Sequence, residues 1–266
     1  MSALAHDRDV GNTNEEAAMA TSPATTDAGT PGTAERIRAG IARYRAWARH
    51  QDSELASQVL SVQAVQSARL RRTHAALLAD GRFAPITEFF LSEIYTGLDL
   101  DELAREIEKA LPVATRMLPD SVMRTAATAV EANALTGELD EEVARDLLAR
   151  GITTPDDADM AAAYRRCGHY EERHEQMHLL RELGLGLDRY VRSRLITATF
   201  KMAARPARMA GLGGLYDFMA RGFAVMKPMK SVADFLDLFI GREARILDNL
   251  AQGHEYPFEF AHETTT

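Results

Sequence analysis

The sequence predicts an all-α protein, and three observations support this fold class. Apolar residues recur at three- and four-residue steps along most of the chain from Thr33, the spacing of a helix with one buried face. Residues typical of helix ends, such as Gly, Pro, Ser and Asp, separate these periodic segments. No segment alternates apolar and polar residues between hairpin turn signals, so we identify no strand. The pattern predicts about nine helices packed as one irregular domain, or as two tightly packed helical halves.

Composition divides the chain into three parts. Residues 1–32 are rich in Ala, Thr, Gly and Asp and have no apolar periodicity, which predicts a disordered tail. Residues 33–253 are the predicted helical domain, and residues 254–266 are a predicted flexible C-terminal tail. The single cysteine, Cys167, precludes an internal disulfide. We see no secretory signal and no apolar run of the roughly 20 residues that span a bilayer, so we expect a cytoplasmic protein that is not an integral membrane protein.

Two helices are predicted ahead of the densest aromatic stretch. The first starts at Thr33 and carries Ile37 and Ile41 on one face. Ser53 is positioned to cap the second helix, which ends near Gly81.

The aromatic stretch itself lies between Gly81 and Gly97. Pro85 suits the first turn of a helix, where its missing N–H costs nothing, and Gly97 suits a helix end. Apolar residues between them recur at helical spacing, so we predict a short buried helix. Its predicted structural hub consists of Phe89, Phe90, Ile94 and Tyr95.

Helices continue from the aromatic stretch to Gly151. Residues 100–118 contain Pro112, which cannot donate a backbone hydrogen bond, so we expect a kink or break there. A further helix covers residues 122–135, and Gly137 begins a separate short helix that ends at Gly151.

An unusually long helix is predicted next. It begins near Pro155, where two acids follow in the first turn, and it runs to Leu187. Gly184 and Gly186 lie inside it and indicate either a break or a close helix crossing.

Shorter helices complete the chain. They are predicted at residues 190–204, 215–225 and 232–252. Arg205-Pro206 ends the first of these helices, and Gly211–Gly214 forms a joint. Ser231 and Asp234 resemble a capping box at the start of the last helix.

One family resemblance accompanies this pattern. FFLSEIYTG at residues 89–97, preceded by Arg72-Thr73-His74, resembles the FFL-x-x-LYG signature of a bacterial family of uncharacterised all-helical proteins. The resemblance covers residues 55–253 and includes ARPARMAG at 204–211 and Arg242-Glu243 near the end. The Tyr-Thr-Gly of this chain departs from the usual Tyr-Gly at a helix end. The resemblance implies an all-helical domain of unknown function and supplies no catalytic residues.

Two overlapping Glu-x-x-His motifs lie on the long helix. Their residues are Glu171, His174, Glu175 and His178. Di-iron bundle proteins take Glu-x-x-His from each of two helices and further Glu from two others, whereas one helix supplies it here. Candidates to complete such a site are Glu88, Glu93 and Glu131. The alternative is a solvated helix face with His174 partly buried on the apolar seam. We therefore predict no cofactor, with iron, manganese or zinc as the alternative.

A basic window lies between residues 189 and 230, which hold nine basic residues and one acid, Asp217. Such a patch suits an anionic partner. The predicted binding residues are Arg189, Arg192, Arg194, Lys201, Arg205 and Arg208. The alternatives are ordinary outer helix faces, or internal pairing with the acids of residues 99–108 and 138–146. No nucleic-acid-binding motif accompanies the window, so nucleic acid is not the expected partner.

The sequence lacks a complete catalytic constellation, because it has no nucleophile elbow and no Cys-His-Asn arrangement. We therefore expect a non-enzymatic interaction or regulatory module that binds an acidic protein or associates with itself. One alternative is a metal-dependent helical-bundle enzyme that uses the Glu and His residues of the long helix. Another is a domain that binds an apolar ligand between its aromatic helices.

Overall fold

The structure is a computed structural model that describes residues 32–50, 53–94 and 100–259, with residues 47–50, Ser53, Ile94 and Leu100 described in backbone only. The predicted tail segments 1–31 and 260–266, and the hub residue Tyr95, lie outside these ranges. The described residues form α-helices and one π-helical turn, without a strand. The α-helices are α1 Thr33–His50, α2 Ser53–Thr73, α3 Ala75–Ala79, α4 Ala84–Phe89, α5 Leu100–Met117, α6 Asp120–Ala149, α7 Asp157–Cys167, α8 Tyr170–Arg192, α9 Arg194–Met209, α10 Gly213–Met226 and α11 Ala233–Ala251. The π-helical turn is Phe90–Ile94, directly after α4.

The predicted all-α fold in one multi-helix domain is confirmed, but the count of about nine is wrong, since eleven α-helices form within the described residues. One difference arises at His74, where the predicted second helix divides into α2 and α3. His74 has a backbone φ of −109° and ψ of 21°, outside the helical range. Its side chain is held by α11, as described below, so a tertiary contact overrides the local helical pattern.

The predicted long helix is also divided, into α7 and α8. Gly168 and His169 both have positive φ, 70° and 56°, and this left-handed step ends α7. The start of α7 follows its sequence signal, because Asp156 and Asp159 form a reciprocal capping box.

Elsewhere, two predicted helices join into one. The predicted boundary at Gly137 is wrong, because α6 continues through it as a single helix of 30 residues. A glycine inside a helix costs on the order of 1 kcal/mol, and the burial of flanking Ala134 and Leu139 offsets that cost. Helix α6 is central, and it packs against α1, α2, α7 and α8.

Proline does not end either of the helices that contain it. Helix α5 is continuous through Pro112, so it does not break there, and α9 passes Pro206 and ends at Met209, so the predicted helix end at Arg205-Pro206 is wrong. Both prolines are exposed. The carbonyl oxygen four residues earlier, which each proline leaves without an N–H donor, therefore lies on the solvent side, where water can bond it.

The last helix begins without the predicted capping box. Ser231 accepts a hydrogen bond from the N–H of Ala233, while Asp234 pairs with Arg82 of the loop before α4. The C-terminal glycine of α9 behaves as predicted, since Gly211 has a φ of 73° at the joint to α10.

Three clusters of buried apolar side chains form the core. The first lies among α2, α6, α7 and α11, the second joins α2–α4 to α8, α10 and α11, and the third lies among α1, α5 and α6. Close crossings fix these layers. A Cβ at Gly184 would lie 2.9 Å from Leu236 of α11, and a Cβ at Gly186 would lie 2.8 Å from the hydroxyl oxygen of Thr125 in α6. Both glycines therefore mark close helix crossings, and α8 does not break there.

Candidate functional site

The Glu and His side chains of the overlapping motifs lie on the solvent side of α8. Glu171, His174, Glu175 and His178 are all exposed. Nδ1 of His174 donates to the backbone oxygen of Tyr170 at 2.6 Å. Among the described residues, no three His, Cys, Asp or Glu side chains are grouped so that they could hold a metal ion. The helix presents the four side chains in a row, but no second helix in the described ranges adds ligands to them.

The three Glu residues proposed to complete a metal site each face an arginine instead. Glu88 pairs with Arg71 at 2.8 Å, Glu93 with Arg221 at 2.7 Å, and Glu131 with Arg36 at 2.7 Å. These ion pairs connect α4 to α2, the π-helical turn to α10, and α6 to α1. Their carboxylates therefore join pairs of helices and are not directed at α8.

The buried residue of the α8 motif segment is Arg173, so the predicted partial burial of His174 is wrong. The break at Gly168 changes the helix register, and it turns position 173 towards the core. The guanidinium carbon of Arg173 lies 3.8 Å from the centroid of the Tyr164 ring, a cation–π contact between α8 and α7. Burial raises the pKa of Tyr164, and the Arg173 charge opposes part of that rise.

A buried charged cluster joins α2, α11 and the residue between α2 and α3. Both oxygens of Glu243 accept hydrogen bonds from Arg69, at 2.7 and 2.8 Å. Nε2 of His74 lies 2.8 Å from Glu243 Oε1, and its ring stacks on Phe239 with centroids 3.9 Å apart. Gln66 accepts a further hydrogen bond from Arg69. We call Arg69, His74 and Glu243 the buried charged cluster.

The pKa shifts of Glu243 and His74 determine which of the two carries a proton in the buried charged cluster. Burial raises the pKa of Glu243, but the Arg69 charge and the hydrogen bond from His74 outweigh burial and hold this pKa below its usual value. Burial lowers the pKa of His74, and the hydrogen bond to Glu243 offsets only part of that effect. At neutral pH, His74 is therefore uncharged and donates Nε2–H to a charged Glu243.

Several residues of the resemblance motifs meet at this cluster. His74 follows Arg72-Thr73, Glu243 follows Arg242, and Arg242 donates to the backbone oxygen of Thr73 at 2.7 Å. Phe90 of the aromatic stretch contacts Phe239 edge to face, with centroids 4.8 Å apart. His74 and Glu243 are only 1% and 7% exposed, so a substrate does not reach them in this conformation. The hydrogen bonds of the cluster join α2, the residue between α2 and α3, and α11.

Two of the predicted hub residues, Phe89 and Phe90, are less buried than their neighbour Leu91. Phe89 and Phe90 are half-buried, whereas Leu91 has no exposed surface. Phe89 stacks on Phe218 of α10 with centroids 5.7 Å apart. The stretch thus contacts α10 and α11 through its aromatic rings.

Helix α9 is the most exposed long helix of the basic window. All its side chains are described, and none of them is buried. Its inner face packs on α10 through Phe200, whose ring stacks on Tyr216 at 4.5 Å and tilts against Phe223 at 4.9 Å. Its outer face carries three large apolar side chains: Leu195, Met202 and Met209 are 77%, 72% and 79% exposed.

The basic side chains of the window fall into two groups. Arg192 pairs with Asp188, Arg208 with Asp217, and Arg221 with Glu93. None of these acids belongs to residues 99–108 or 138–146, so the predicted internal partners are wrong. Within the described part of the chain, no ion pair is formed by Arg189, Arg194, Lys201 or Arg205.

We call the outer face of α9 the α9 surface. It consists of Leu195, Ala198, Thr199, Met202 and Met209 with Arg194, Lys201 and Arg205, and every one of them is exposed. The α9 sequence contains no acidic residue. The result is an apolar stripe with uncompensated positive charge along one side.

A sequence model of one protein family, described as a domain of unknown function, DUF8198, matches residues 46–257. The chain belongs to this family. No curated protein and no solved structure matches the chain. In the described ranges, every helix of the DUF8198 protein is too short or too polar to cross a membrane.

Two features of this DUF8198 protein were not identified from sequence. The buried charged cluster was missed because His74 and Glu243 are separated by 169 positions, and no local pattern connects them. The exposed stripe of α9 was missed because Leu195, Met202 and Met209 look like ordinary core residues in sequence. The sequence did contain a signal: these residues recur every seven positions on the helix face opposite Phe200, which indicates a second apolar face.

Proposed function

We propose that this DUF8198 protein is a non-enzymatic interaction module that binds an acidic protein partner through the α9 surface. The observation that supports this function is the exposure of three large apolar side chains in one stripe on a helix whose outer face is basic and lacks acids. Clustered exposed apolar residues are typical of docking sites, whereas single ones are ordinary.

The charge distribution favours an acidic partner. Arg194, Lys201 and Arg205 have no ion-pair partner within the described residues, so an approaching carboxylate would not compete with an internal one. Complementary charge raises association rates and selects against basic partners. The same argument disfavours a symmetric dimer through this face, because two copies would bring like charges together.

The inner face of α9 supports the same proposal. Phe200, Tyr216 and Phe223 hold the helix on α10, and Ser193 caps its first turn by accepting from the N–H of Ile196. The α9 surface is therefore presented by an ordered helix, which lowers the entropy lost on binding.

Site-specific photo-crosslinking in cells tests the proposal. A photoreactive residue is introduced at Met202 or, as the matched control, at Leu60 of α2, which is 66% exposed. We expect a discrete adduct with one acidic protein at position 202, absent at position 60, and absent at 202 when Lys201 and Arg205 are both changed to Glu. Equal labelling at the two positions, or an adduct that persists in the charge-reversed variant, contradicts the proposal.

A further inference from the structure

The exposed apolar residues on α9 are evenly spaced, and this spacing indicates the kind of surface that packs against them. Leu195, Met202 and Met209 follow one another at intervals of seven residues. Seven residues are about two helical turns, so the three side chains form a nearly straight stripe along the helix. At about 1.5 Å per residue, the stripe is roughly 21 Å long. A strict seven-residue repeat is the pattern of a helix that packs along another helix.

Small residues separate the large ones in this stripe. Ala198 and Thr199, both exposed, lie midway between Leu195 and Met202, where an intermediate layer of a helix pair would pack. Short side chains at that layer leave room for a knob from a facing helix. In the next interval, Arg205 occupies the equivalent position, and its charge lies at the edge of the stripe.

The arrangement of the exposed side chains distinguishes a helical partner from a membrane surface. A helix that lies on a membrane uses an apolar face of about 100° or more, which for α9 would need the residues on both sides of the stripe. Here Arg194, Lys201 and Arg205 occupy one side of the stripe and exposed Thr199 and Pro206 occupy the other, while the half-buried Ile196 and Phe200 lie on the opposite face of the helix. The large exposed side chains therefore form a single line, as in a helix–helix seam.

The geometry points to an amphipathic helix as the partner element, with a seven-residue apolar repeat and acidic side chains beside that repeat, where they face the basic side of α9. This inference rests on the proposed function and names the shape of the partner. The apolar residues of the partner helix fill the spaces between Leu195, Met202 and Met209. Its carboxylates pair with Arg194, Lys201 and Arg205, in the way that flanking charges select partners in coiled coils.

Designed peptides are the probe for this inference. Peptide A has three heptads with Leu in the apolar stripe and Glu at the flanking positions. Peptide B has the composition of peptide A in a scrambled order without an apolar face, and peptide C replaces the flanking Glu with Lys. Fluorescence anisotropy with the full-length protein measures their affinities at low salt.

We expect peptide A to bind at least about tenfold more tightly than peptides B and C, a difference of about 1.4 kcal/mol. Met202→Glu should weaken peptide A by at least about tenfold, since it adds a like charge to the centre of the stripe. Leu60→Glu, at a similarly exposed apolar position on α2, should leave its binding unchanged.

Other outcomes overturn the inference in separate ways. If peptides A and B bind equally, recognition follows charge alone, and the proposed function survives without a helical partner. If peptide A does not bind but vesicles of anionic phospholipid do, the surface is a membrane contact. A dimer in sizing experiments that Met202→Glu dissociates identifies a second copy as the occupant. Failure of every probe together with no adduct at Met202 removes the proposed function as well.

Discussion

Glu243 of α11 forms the buried ion pair that links this helix to Arg69 of α2. Its carboxylate is buried and accepts from Arg69 and His74 at once, whereas other ion pairs, such as Arg71–Glu88, lie at the surface. Removing one partner of a buried pair leaves an uncompensated charge and costs about 3–5 kcal/mol, whereas an exposed pair is worth about 0–1 kcal/mol. Burial therefore decides which of these ion pairs matters for stability.

The first prediction compares the stability lost when a buried ion pair or an exposed ion pair is broken. Glu243→Gln should lower the free energy of unfolding by about 3–5 kcal/mol, because Arg69 remains buried and charged. Glu88→Gln, in an exposed pair of the same type, should lower it by about 1 kcal/mol or less. Urea denaturation at pH 7 measures both.

A double variant controls for a general packing defect at position 243. Adding Arg69→Met to Glu243→Gln removes the unpaired charge and should recover part of the lost stability. If the double variant is no more stable than Glu243→Gln, or if the two single variants lose equal stability, the buried charge is not the cause.

The second prediction follows from His74. Its pKa in the folded protein is below the ordinary 6.5, so the unfolded chain takes up a proton first as the pH falls. The stabilising effect of neutral His74 is complete above about pH 6.5 and is lost as the pH falls from there towards the lowered pKa. The free energy of unfolding should therefore decrease from pH 7 to pH 5.

A comparison of two histidine variants assigns this pH dependence. His74→Gln should flatten the decrease between pH 7 and pH 5, as measured by urea denaturation. His174→Gln changes an exposed histidine and should keep the wild-type slope. An unchanged slope in His74→Gln would assign the pH dependence to other groups.

At the scale of the helix, local signals located starts better than ends. Pro85 and the acids after Pro155 correctly mark the beginnings of α4 and α7, because a cap or a first-turn proline acts on the residues next to it. Gly137 and Gly168 look alike in sequence, yet α6 passes through the first and α7 ends at the second. The difference is tertiary, since burial on both sides of Gly137 compensates for its flexibility.

The same limit applies to the candidate site. The basic character of residues 189–230 could be predicted from the sequence. The sequence does not show which basic residues form ion pairs, because that depends on where the fold places Asp188, Asp217 and Glu93. The face of α9 that meets α10 is likewise fixed by Phe200 and its ring contacts. Sequence periodicity identifies two apolar faces on such a helix without telling which one is covered.

The third prediction compares two helical glycines. A Cβ at Gly40 of α1 would lie 2.6 Å from Val130 Cγ1 of α6, whereas a Cβ at Gly241 of α11 would meet no atom within 4 Å. Valine is stiff in a helix and cannot turn aside easily. Gly40→Ala should therefore destabilise the protein by about 1–3 kcal/mol. Gly241→Ala should stabilise it by about 0.5–1 kcal/mol, since alanine is the better helix former.

Urea denaturation of the two variants, side by side with the wild type, measures both changes. Because the substitution is the same, helix propensity contributes equally, and the difference between the variants isolates the crossing of α1 and α6. Two stabilised variants would mean that this crossing has room for a methyl group.

At the scale of the whole molecule, stability is concentrated away from the α9 surface. The three apolar clusters draw most of their buried side chains from α1, α2, α5–α7 and α11, whereas α9 contributes none. Helix α9 is held mainly by ring contacts to α10 and by its connection to α8. A segment with few buried contacts opens at lower free energy than the core.

The fourth prediction is that α9 has the least protected amides among the described helices of more than ten residues. Native-state hydrogen exchange at neutral pH should give α9 amides an opening free energy several kcal/mol below that of α6, whose Ala127, Ala144 and Leu147 have no exposed surface. Peptide A, if bound along the stripe, should slow exchange in α9 and leave α6 unchanged, because binding stabilises only the segment that it contacts. Met202→Glu should remove this protection without altering exchange in the free protein. Protection of α9 equal to that of α6 in the free protein would show that α9 is as firmly packed as the core, and α9 would then open only with the whole domain.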